Sequence, residues 1–512
     1  MIDLENVSCK IGVPIDFIKK VDNGKMTEEE LQERATYLYK CVQNDKEYYD
    51  ESYEYNVDPC EVYTAKAEEK ECKVFFDVIG EKIIKENNLF TLNDTREIYI
   101  YKNGVYVVDG VENFIKAETK RLYKESIIEQ CNKMNKLPPD HIKTADIKFC
   151  NEVLEHIKVL TSIGRNEIDK NPMLINLKNG VLNFETLEFI DHNPKFLQTV
   201  QIPVTYNSEA QCPKIKAFLH DIVKEEDAKV LLEFIGYCLI PDTRFQQGIM
   251  LQGEGSNGKS IFLHLLSTFI GEKNISAIEM QALTNDKFIS AELFGKLVNV
   301  FPDLPNNEIK DTGKFKALIS GDMISAQKKF MQPFKFKNYA RQIYSVNKVP
   351  YVRDQSFAFF RRIILIDFPW KFVTDPKIGI EKREDKDIKR KITTTEELSG
   401  LLNLAIEHAK ELFEKGKYSY TVTVEEVAEQ YLLKSDPIQL FIENYTEISD
   451  YDLDKNEMYD QYVLWSNRKK VHPESRIKFT KRLKKMGIQD DRPYDYNGNR
   501  LNVWKNIQVE GI

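Results

Sequence analysis

The eight residues from Gly253 to Ser260 carry the strongest chemical signal in this sequence. They read Gly-Glu-Gly-Ser-Asn-Gly-Lys-Ser, which fits the phosphate-loop pattern Gly-x-x-x-x-Gly-Lys-Ser at every fixed position. Glycines let the backbone turn its amide N–H groups toward phosphate oxygens. Lys259 is expected to reach the β- and γ-phosphates of a nucleotide, and the Ser260 hydroxyl to bind Mg²⁺. The other phosphate-binding candidates are the loop residues Gly253, Glu254, Gly255, Ser256, Asn257 and Gly258.

The segments on either side of this loop are those that a phosphate loop requires. Gly248–Leu251 ahead of it has the composition of a buried strand. Behind it, Ile261, Leu265, Leu266 and Phe269 recur at helical spacing. A glycine–serine turn that matches the pattern by chance is the alternative, but the order of strand, loop and helix favours a phosphate site.

Two polar residues follow later apolar strands and complete a hydrolytic site. Asp303 comes after the predicted strand Lys296–Phe301, where a carboxylate can hold the metal and polarise the attacking water. Asn347 follows the predicted strand Gln342–Val346 and could hydrogen-bond the γ-phosphate or that water. Asp303 could instead be an ordinary turn residue after proline, and an Asn before a turn is common. A further apolar strand over Arg362–Ile366 predicts a parallel α/β core.

Arg361 and Arg362 precede the last of these strands. An arginine held at a strand end can project across a subunit boundary and neutralise charge on a neighbour's phosphates. The alternative is that both arginines make local caps or salt bridges. We rank Arg362 above Arg361 as the residue that acts on the neighbour.

Charge is distributed unevenly along the 512 residues, whose net charge is −8. Residues 310–371 contain 13 Lys and Arg against 4 Asp and Glu, and residues 468–485 contain 9 against Glu474 alone. Local basic patches, rather than net charge, bind phosphate backbones. Charge runs that are only solvated surface are the alternative.

Other bulk properties narrow the class of protein. No apolar run approaches the roughly 20 residues that span a bilayer, and the N-terminus lacks the pattern of a signal peptide. We therefore expect no membrane association and a cytoplasmic location. The eight cysteines are scattered without a Cys-x-x-Cys pair, which argues against a zinc ribbon and for reduced thiols.

The order and spacing of these motifs resemble superfamily-three helicases, and in particular the phage and plasmid primase–helicase branch that includes the poxvirus primase–helicase. Four more stretches resemble that branch: Asn171–Leu182, Phe234–Pro241, Lys314–Asp322 and Phe359–Phe368. The resemblance covers roughly residues 75–510.

The resemblance implies an α/β fold with an AAA+ phosphate-loop ATPase core, a mixed α/β upstream domain and a C-terminal winged helix. It implies a ring, usually a homo-hexamer, that hydrolyses ATP with Mg²⁺ between subunits and pulls one DNA strand 3′ to 5′. Two features depart from the family. Pro302 precedes Asp303 where many relatives have a second acid, and the first 70 residues are too short for a primase domain. Priming is therefore expected from a separate partner.

Two segments are predicted to bind DNA. Ile324–Phe336 alternates apolar and basic residues and resembles the hairpin that lines the family's channel, where Lys328 and Lys329 would contact phosphates and Phe330 a sugar or base. An ordinary surface hairpin is the alternative. Arg476–Gly487 is a basic amphipathic helix, followed by a hairpin with an Asn-Gly turn, which suggests a winged helix that binds duplex DNA or a protein. Its DNA-binding candidates are Arg476, Lys478, Lys481 and Arg482.

We expect four segments: an acidic helical segment over residues 1–70, the upstream domain over 71–205, the ATPase domain over 206–420 and the winged-helix unit over 421–512. Local patterns predict the following elements: a helix over Thr27–Gln43, hairpins over Glu97–Val108 and Met173–Phe184, a helical stretch over Pro213–Leu239, a charged linker over Glu381–Arg390 and a helix over Leu401–Glu414.

The leading hypothesis is an ATP-dependent helicase that replicates a virus, phage or plasmid on single-stranded and forked DNA. An ATP-switched initiator or loader that does not unwind processively is the alternative, because the same site serves both uses. A small-molecule kinase is a third and weaker hypothesis, since the basic segments argue against it.

Overall fold

The computed structural model describes residues 4–11, 13, 18–19, 27–44, 74–133, 144–285, 287–377, 379–494 and 496–509. The chain divides into two compact units. The first comprises Met1–Leu92, Arg96–Ile100 and Val107–Ile163, and the second Asn93–Thr95, Tyr101–Tyr106 and Gly164–Ile512. No helix within the described ranges is long and apolar enough to cross a bilayer. Within the described ranges, Cys131, Cys150, Cys212 and Cys238 are free and buried.

The first unit packs helices against a small sheet. Its helices are α1 Leu4–Ile11, α2 Glu28–Asn44, α3 Phe76–Glu86, α4 Val111–Lys133 and α5 Ile147–Leu160. The strands β1 Leu89–Leu92, β2 Ile98–Lys102, β3 Val105–Val107 and β4 Ser162–Ile163 form one sheet in the order β3-β2-β1-β4, although Tyr101–Tyr106 is counted with the second unit. The predicted helix and first hairpin are confirmed, and Asn103 and Gly104 at the turn both have positive φ. The acidic stretch predicted after Asn44 lies outside the described residues.

The second unit begins with an antiparallel sheet of β5 Leu174–Leu177, β6 Gly180–Asn183 and β7 Phe189–Ile190. The hairpin predicted over Met173–Phe184 is present. Its turn is Lys178–Asn179 rather than the Asn179–Gly180 pair that an Asn-Gly turn signal predicts, because Leu177 pairs with Gly180. Gly180 is needed inside the strand, since a Cβ there would lie 2.5 Å from the Phe189 ring. The helical stretch that follows is two helices, α6 Pro213–Ile222 and α7 Glu225–Tyr237.

A five-stranded parallel sheet forms the centre of the described part of this unit. Its strands are β8 Gly248–Gln252, β9 Ile275–Ser276, β10 Val298–Phe301, β13 Arg341–Val346 and β14 Ile363–Asp367, in the order β14-β8-β13-β10-β9. All four neighbouring pairs are parallel. The strands are apolar runs because helices cover both faces of such sheets. The four longer strands confirm the predicted ones, whereas the two-residue β9 left no pattern in the sequence.

Helices and a hairpin surround the sheet. The helices are α8 Lys259–Ile270, α9 Met280–Asn285, α10 Lys287–Ser290, α11 Gly313–Ser320, α12 Phe357–Phe360, α13 Ile388–Ile392 and α14 Thr395–Lys415. The hairpin consists of β11 Met323–Ala326 and β12 Phe334–Lys337. The predicted linker over Glu381–Arg390 was wrong in part. Its first residues form β16 Glu381–Arg383, which pairs in parallel with β15 Lys371–Val373, and α13 begins near its end.

The C-terminal part has its own aromatic core. Its helices are α15 Val424–Ser435, α16 Pro437–Tyr445, α17 Lys455–Arg468 and α18 Arg476–Lys485. Its strands are β17 Thr446–Ile448, β18 Leu453–Asp454, β19 Asp490–Asp491, β20 Val503–Trp504 and β21 Ile507–Val509. Trp465, Phe479 and Trp504 are buried together in this core. The basic helix α18 is thus anchored by Phe479 and Leu483, while β19 and β20 form the hairpin that follows it.

Candidate nucleotide site and nucleic-acid interface

The parallel register brings three polar loops to one edge of the sheet. Gln252, the last residue of β8, pairs with Val346, the last residue of β13. Phe301, the last residue of β10, pairs with Tyr344 on the same β13. The loop after β8, Asn347 and Asp303 therefore all follow carboxyl ends of adjacent strands, the edge at which ligands of open α/β sheets bind.

The phosphate loop has the backbone conformation that an anion cradle needs. Gly258 caps α8 with φ +93°, and Ser256 also has positive φ. A Cβ on Gly258 would lie 2.5 Å from the Ile222 side chain, so a larger residue has neither the conformation nor the room. The 12-residue helix α8 then starts at Lys259 and directs its unpaired N–H groups and positive dipole end toward the loop. Glu254 and Gly255 are exposed at the tip.

Lys259 is a buried ammonium group without a carboxylate partner among the described residues. It is 5% exposed. Its Nζ donates to the carbonyl oxygen of Gly253, to Asn257 Oδ1 at 3.3 Å and to Asn347 Oδ1 at 3.5 Å, which are all neutral oxygens. Burial lowers the pKa of Lys259, and the charge of Asp303 partly opposes that shift. Burying a charge without a counter-ion is costly, so an anion bound beside Lys259 would stabilise its charged form.

The side chain of the neighbouring Asn257 also fits an anion. The side-chain nitrogen of Asn257 is buried, and the structure gives it no hydrogen-bond partner. Buried polar groups are nearly always paired, so a donor left over beside Lys259 fits a phosphate oxygen. Ser260 and Asp303 are both exposed at the same edge, and hydroxyl and carboxylate oxygens are ligands that Mg²⁺ accepts. The residues present therefore fit a nucleotide with its metal.

Arg361 and Arg362 lie at the other end of the strands, where β8 and β14 begin. The Arg362 carbonyl accepts from Gly248 N at 2.9 Å, at the start of β8, so the length of that strand, about 13 Å, separates it from the phosphate loop. Arg362 is 9% exposed, and its Nη2 donates to Ser320 Oγ at 2.8 Å. Arg361 is half-buried and donates to Gln246 Oε1 at 3.2 Å. The structure therefore does not bring either arginine to the phosphate loop of its own chain.

The hairpin of β11 and β12 ends in an exposed aromatic residue. Phe330 is fully exposed and has φ +64°, a conformation that costs a non-glycine residue energy. Lys329 beside it is exposed, and Lys328 is half-buried. The loop is fixed by hydrogen bonds from Gln327 Nε2 to Met331 O at 3.0 Å and from Met331 N to Lys328 O at 3.1 Å. A strained, exposed aromatic next to basic residues is typical of a contact site rather than of a core.

The predicted DNA-binding residues of α18 differ in their surroundings. Arg476 and Lys481 are exposed. Lys478 donates to Glu474 Oε2 at 2.8 Å. Arg482 is largely buried and donates to Asp436 Oδ2 and to Gln439 Oε1, both at 2.6 Å. These contacts favour a structural role for Arg482 within its own chain.

Glu474 connects this helix to the loop that carries Asn347. Its other carboxylate oxygen accepts from Lys348 Nζ at 3.0 Å, and Lys348 directly follows Asn347. Burial would raise the pKa of Glu474, but Lys478 and Lys348 hold it below its ordinary value. The Lys348–Glu474 pair was not predicted, since its residues are 126 apart and leave no local pattern. Lys335 and Lys337 were not named as candidates either, although the alternation Phe-Lys-Phe-Lys places both on one face of a strand.

Two family models match the chain. One, described as D5 N terminal like, matches residues 35–224, and the other, a family described as of unknown function, matches residues 251–362. Among solved structures, the NrS-1 C terminal region covers 85% of this chain and 100% of its own, with a TM-score of 0.38 and 11% identity.

Curated viral relatives share part of their length with this chain. "Putative helicase 121R" of Invertebrate iridescent virus 3 is 23% identical over 357 residues, which are 63% of this chain and 37% of that protein. "Putative helicase L207/L206" of Acanthamoeba polyphaga mimivirus is 22% identical over 321 residues, 59% of this chain and 32% of that protein. "Putative primase C962R" of African swine fever virus, strain Badajoz 1971 Vero-adapted, is 22% identical over 408 residues, 73% of this chain and 42% of that protein. The matches thus span about two fifths or less of each relative.

Proposed function

We propose that this chain, which belongs with the viral primase–helicases by its D5-type domain and its named relatives, is an ATP-dependent DNA helicase of superfamily three. The observation that carries the proposal is the state of Lys259, a buried ammonium that contacts neutral oxygens only and has Asn347 and Asp303 at the same sheet edge. Such a site binds and hydrolyses a nucleoside triphosphate when the metal is present.

Each residue at this edge has a proposed role. The N–H groups of residues 253–258 and the Lys259 ammonium bind the β- and γ-phosphates of ATP. Ser260 and Asp303 would hold Mg²⁺, which would neutralise phosphate charge. Asn347, in contact with Lys259, orients the attacking water or the γ-phosphate. The strand order β14-β8-β13-β10-β9 supports assignment of this region to an AAA+ core.

The position of the two arginines supports a proposed ring. Arg361 and Arg362 are at the opposite sheet edge, so either could reach a phosphate only on a neighbouring copy. Arg361 is the less buried of the two and makes fewer contacts in its own chain, which favours it over Arg362. We propose a homo-hexamer in which each ATP lies between two subunits.

The hairpin tip and the C-terminal unit supply the proposed DNA contacts. Lys328, Lys329 and Phe330 would line the ring's bore and hold one strand during 3′-to-5′ movement. The helix α18 and the hairpin after it form a proposed winged helix for the duplex at a fork, through Arg476 and Lys481. Replication would take place in the cytoplasm of the host cell.

The test is strand displacement by the purified chain on a duplex with a 3′ single-stranded tail, with ATP and Mg²⁺. We expect displacement by the wild type and none by Lys259→Ala, whose ATP hydrolysis should fall at least about a hundredfold, since the lysine stabilises transferred-phosphate charge. ATP hydrolysis and DNA binding without any displacement would favour the initiator or loader. Failure of Lys259→Ala to reduce hydrolysis would contradict the nucleotide site itself.

A further inference from the structure

The segment that follows Asn347 is held from two sides by distant parts of the chain. The Pro350 carbonyl oxygen accepts a hydrogen bond from the hydroxyl of Tyr431, a buried residue of α15, at 2.8 Å. On the other side, the Tyr351 carbonyl oxygen accepts from Ile309 N at 2.8 Å, and Ile309 lies in the loop after β10. The two loops that follow β10 and β13 therefore meet in this segment, and the C-terminal part of the chain supports them.

Asn347 itself depends on the residue that follows it. Its side-chain oxygen lies 3.5 Å from Lys259 Nζ, which is near the limit of hydrogen-bond distance, so a small displacement of the backbone would break the contact. Lys348, the next residue, is exposed in the loop, and its Nζ forms an ion pair with Glu474 Oε1 at 3.0 Å. This pair joins the end of the loop nearest to Asn347 to the C-terminal part of the chain.

Glu474 is fixed at its backbone as well as at its carboxylate. Its N–H donates to the Tyr462 hydroxyl, and its carbonyl oxygen accepts from the Tyr459 hydroxyl, both at 3.1 Å. Both tyrosines belong to α17, and Tyr462 is fully buried in the aromatic core of the C-terminal part. The two carboxylate oxygens accept from Lys348 at 3.0 Å and from Lys478 at 2.8 Å. A carboxylate that is already ordered in this way can hold a partner at little further entropic cost.

We propose that Glu474 is a positioning residue for ATP hydrolysis, which acts through Lys348 to keep Asn347 in contact with Lys259. The proposal rests on the proposed function, and it makes the C-terminal part of the chain a support of the hydrolytic site. Phosphate binding is assigned to the loop after β8 and to Lys259, which β8 and α8 position. Loss of the Lys348–Glu474 pair should therefore slow hydrolysis without weakening ATP binding, because small displacements of a reacting geometry reduce the rate.

The experiment measures kcat for ATP hydrolysis by the full chain and its affinity for a fluorescent ATP analogue. Glu474→Gln and Lys348→Met each remove the ion pair, and each should lower kcat about tenfold while the dissociation constant of the analogue changes less than about twofold. The double variant should lose no more than the more impaired single variant, since both substitutions remove one contact. Lys348→Arg keeps a cation that can pair with Glu474 and should keep kcat within about twofold of the wild type.

Two further variants show whether the effect passes through Asn347. In an Asn347→Ala background, Glu474→Gln should cause no additional loss of the residual kcat, whereas a general loss of stability would add to it. Glu429→Gln is the matched control. It removes an ion pair of the same length, 3.0 Å to Lys469, which joins α15 to the residue after α17, and it should leave kcat unchanged.

The outcomes separate this proposal from the proposed function. A wild-type kcat in Glu474→Gln and Lys348→Met, together with an impaired Asn347→Ala, would overturn the positioning role alone. An equal loss in Glu429→Gln, an additional loss in the Asn347→Ala background, or a loss of analogue affinity as large as that of kcat would overturn it too. An unimpaired Asn347→Ala, or a wild type that does not hydrolyse ATP, would contradict the proposed function together with this role.

Discussion

The hairpin of β11 and β12 and the helix α18 are both strongly basic in sequence, yet the structure uses their charges differently. In the hairpin, Lys329, Lys335 and Lys337 are exposed, and none of them has an ion pair within the described part of the chain. Charges of this kind remain available to a polynucleotide.

In α18, much of the charge is neutralised inside the chain. Lys478 pairs with Glu474, and Arg482 pairs with Asp436. Lys484 pairs with Asp490 at 3.0 Å. The number of lysines and arginines in a segment therefore does not measure its capacity to bind phosphate. That capacity depends on the acidic residues that the fold brings to the segment.

The two regions should differ most in how much their exposed aromatic residues contribute to the binding of single-stranded DNA. Phe330→Ala should weaken binding of single-stranded DNA by about 2 kcal/mol, because stacking of a base on an aromatic ring contributes about 1–3 kcal/mol. Tyr496 is equally exposed in the C-terminal hairpin, and Tyr496→Ala serves as the matched control. Fluorescence anisotropy with an oligodeoxythymidine measures both. Equal losses in the two variants would remove the distinction between the regions.

A smaller effect is expected when the buried arginine of α18 is removed. Arg482→Ala leaves Asp436 largely buried without its partner, which should lower the free energy of unfolding of the C-terminal part by about 1–2 kcal/mol. The fluorescence of Trp465 and Trp504, which are buried in that core, reports the transition. Lys478→Ala is the control, since its exposed pair should contribute less than about 0.5 kcal/mol. If Arg482→Ala weakened DNA binding without a change in stability, its assignment as a structural residue would be wrong.

The smallest expected effect comes from a substitution that leaves α18 with free lysines, as the hairpin has. Glu474→Gln removes the carboxylate shared by Lys348 and Lys478, so that both ammonium groups become available. Affinity of the chain for duplex DNA should rise about threefold at low salt, as expected for one or two added phosphate contacts, and the gain should vanish at high salt. A titration of labelled duplex at two salt concentrations checks this. Unchanged or weaker binding at low salt would mean that α18 does not face DNA.

The fold was predictable where the signal is local. The long strands of the parallel sheet are continuous apolar runs, and the phosphate loop between β8 and α8 has a fixed pattern, so both could be read from neighbouring residues. The two-residue β9 and the pairing of β16 with β15 were not predictable, because they depend on a distant partner and not on composition.

The candidate site was likewise predictable only where its signal is local. Lys259, Asn347 and Asp303 were proposed from their positions after strands, and the structure places Lys259 and Asn347 in contact, with Asp303 at the same edge. The ion pair of Arg482 with Asp436 joins residues 46 apart and follows from tertiary packing of α18 on α16, which no periodicity in the sequence indicates. The Glu474–Lys478 pair is only four residues apart, so its spacing was readable from the sequence.

The most direct test of the central claim is ATP hydrolysis measured with and without single-stranded DNA, for the wild type and for Lys328→Ala with Lys329→Ala. If the edge around Lys259 hydrolyses ATP in order to move a strand held by the hairpin, DNA should stimulate the wild type several-fold and should not stimulate the double variant. Equal stimulation of the two proteins, or hydrolysis by the wild type that is indifferent to DNA, would contradict the account.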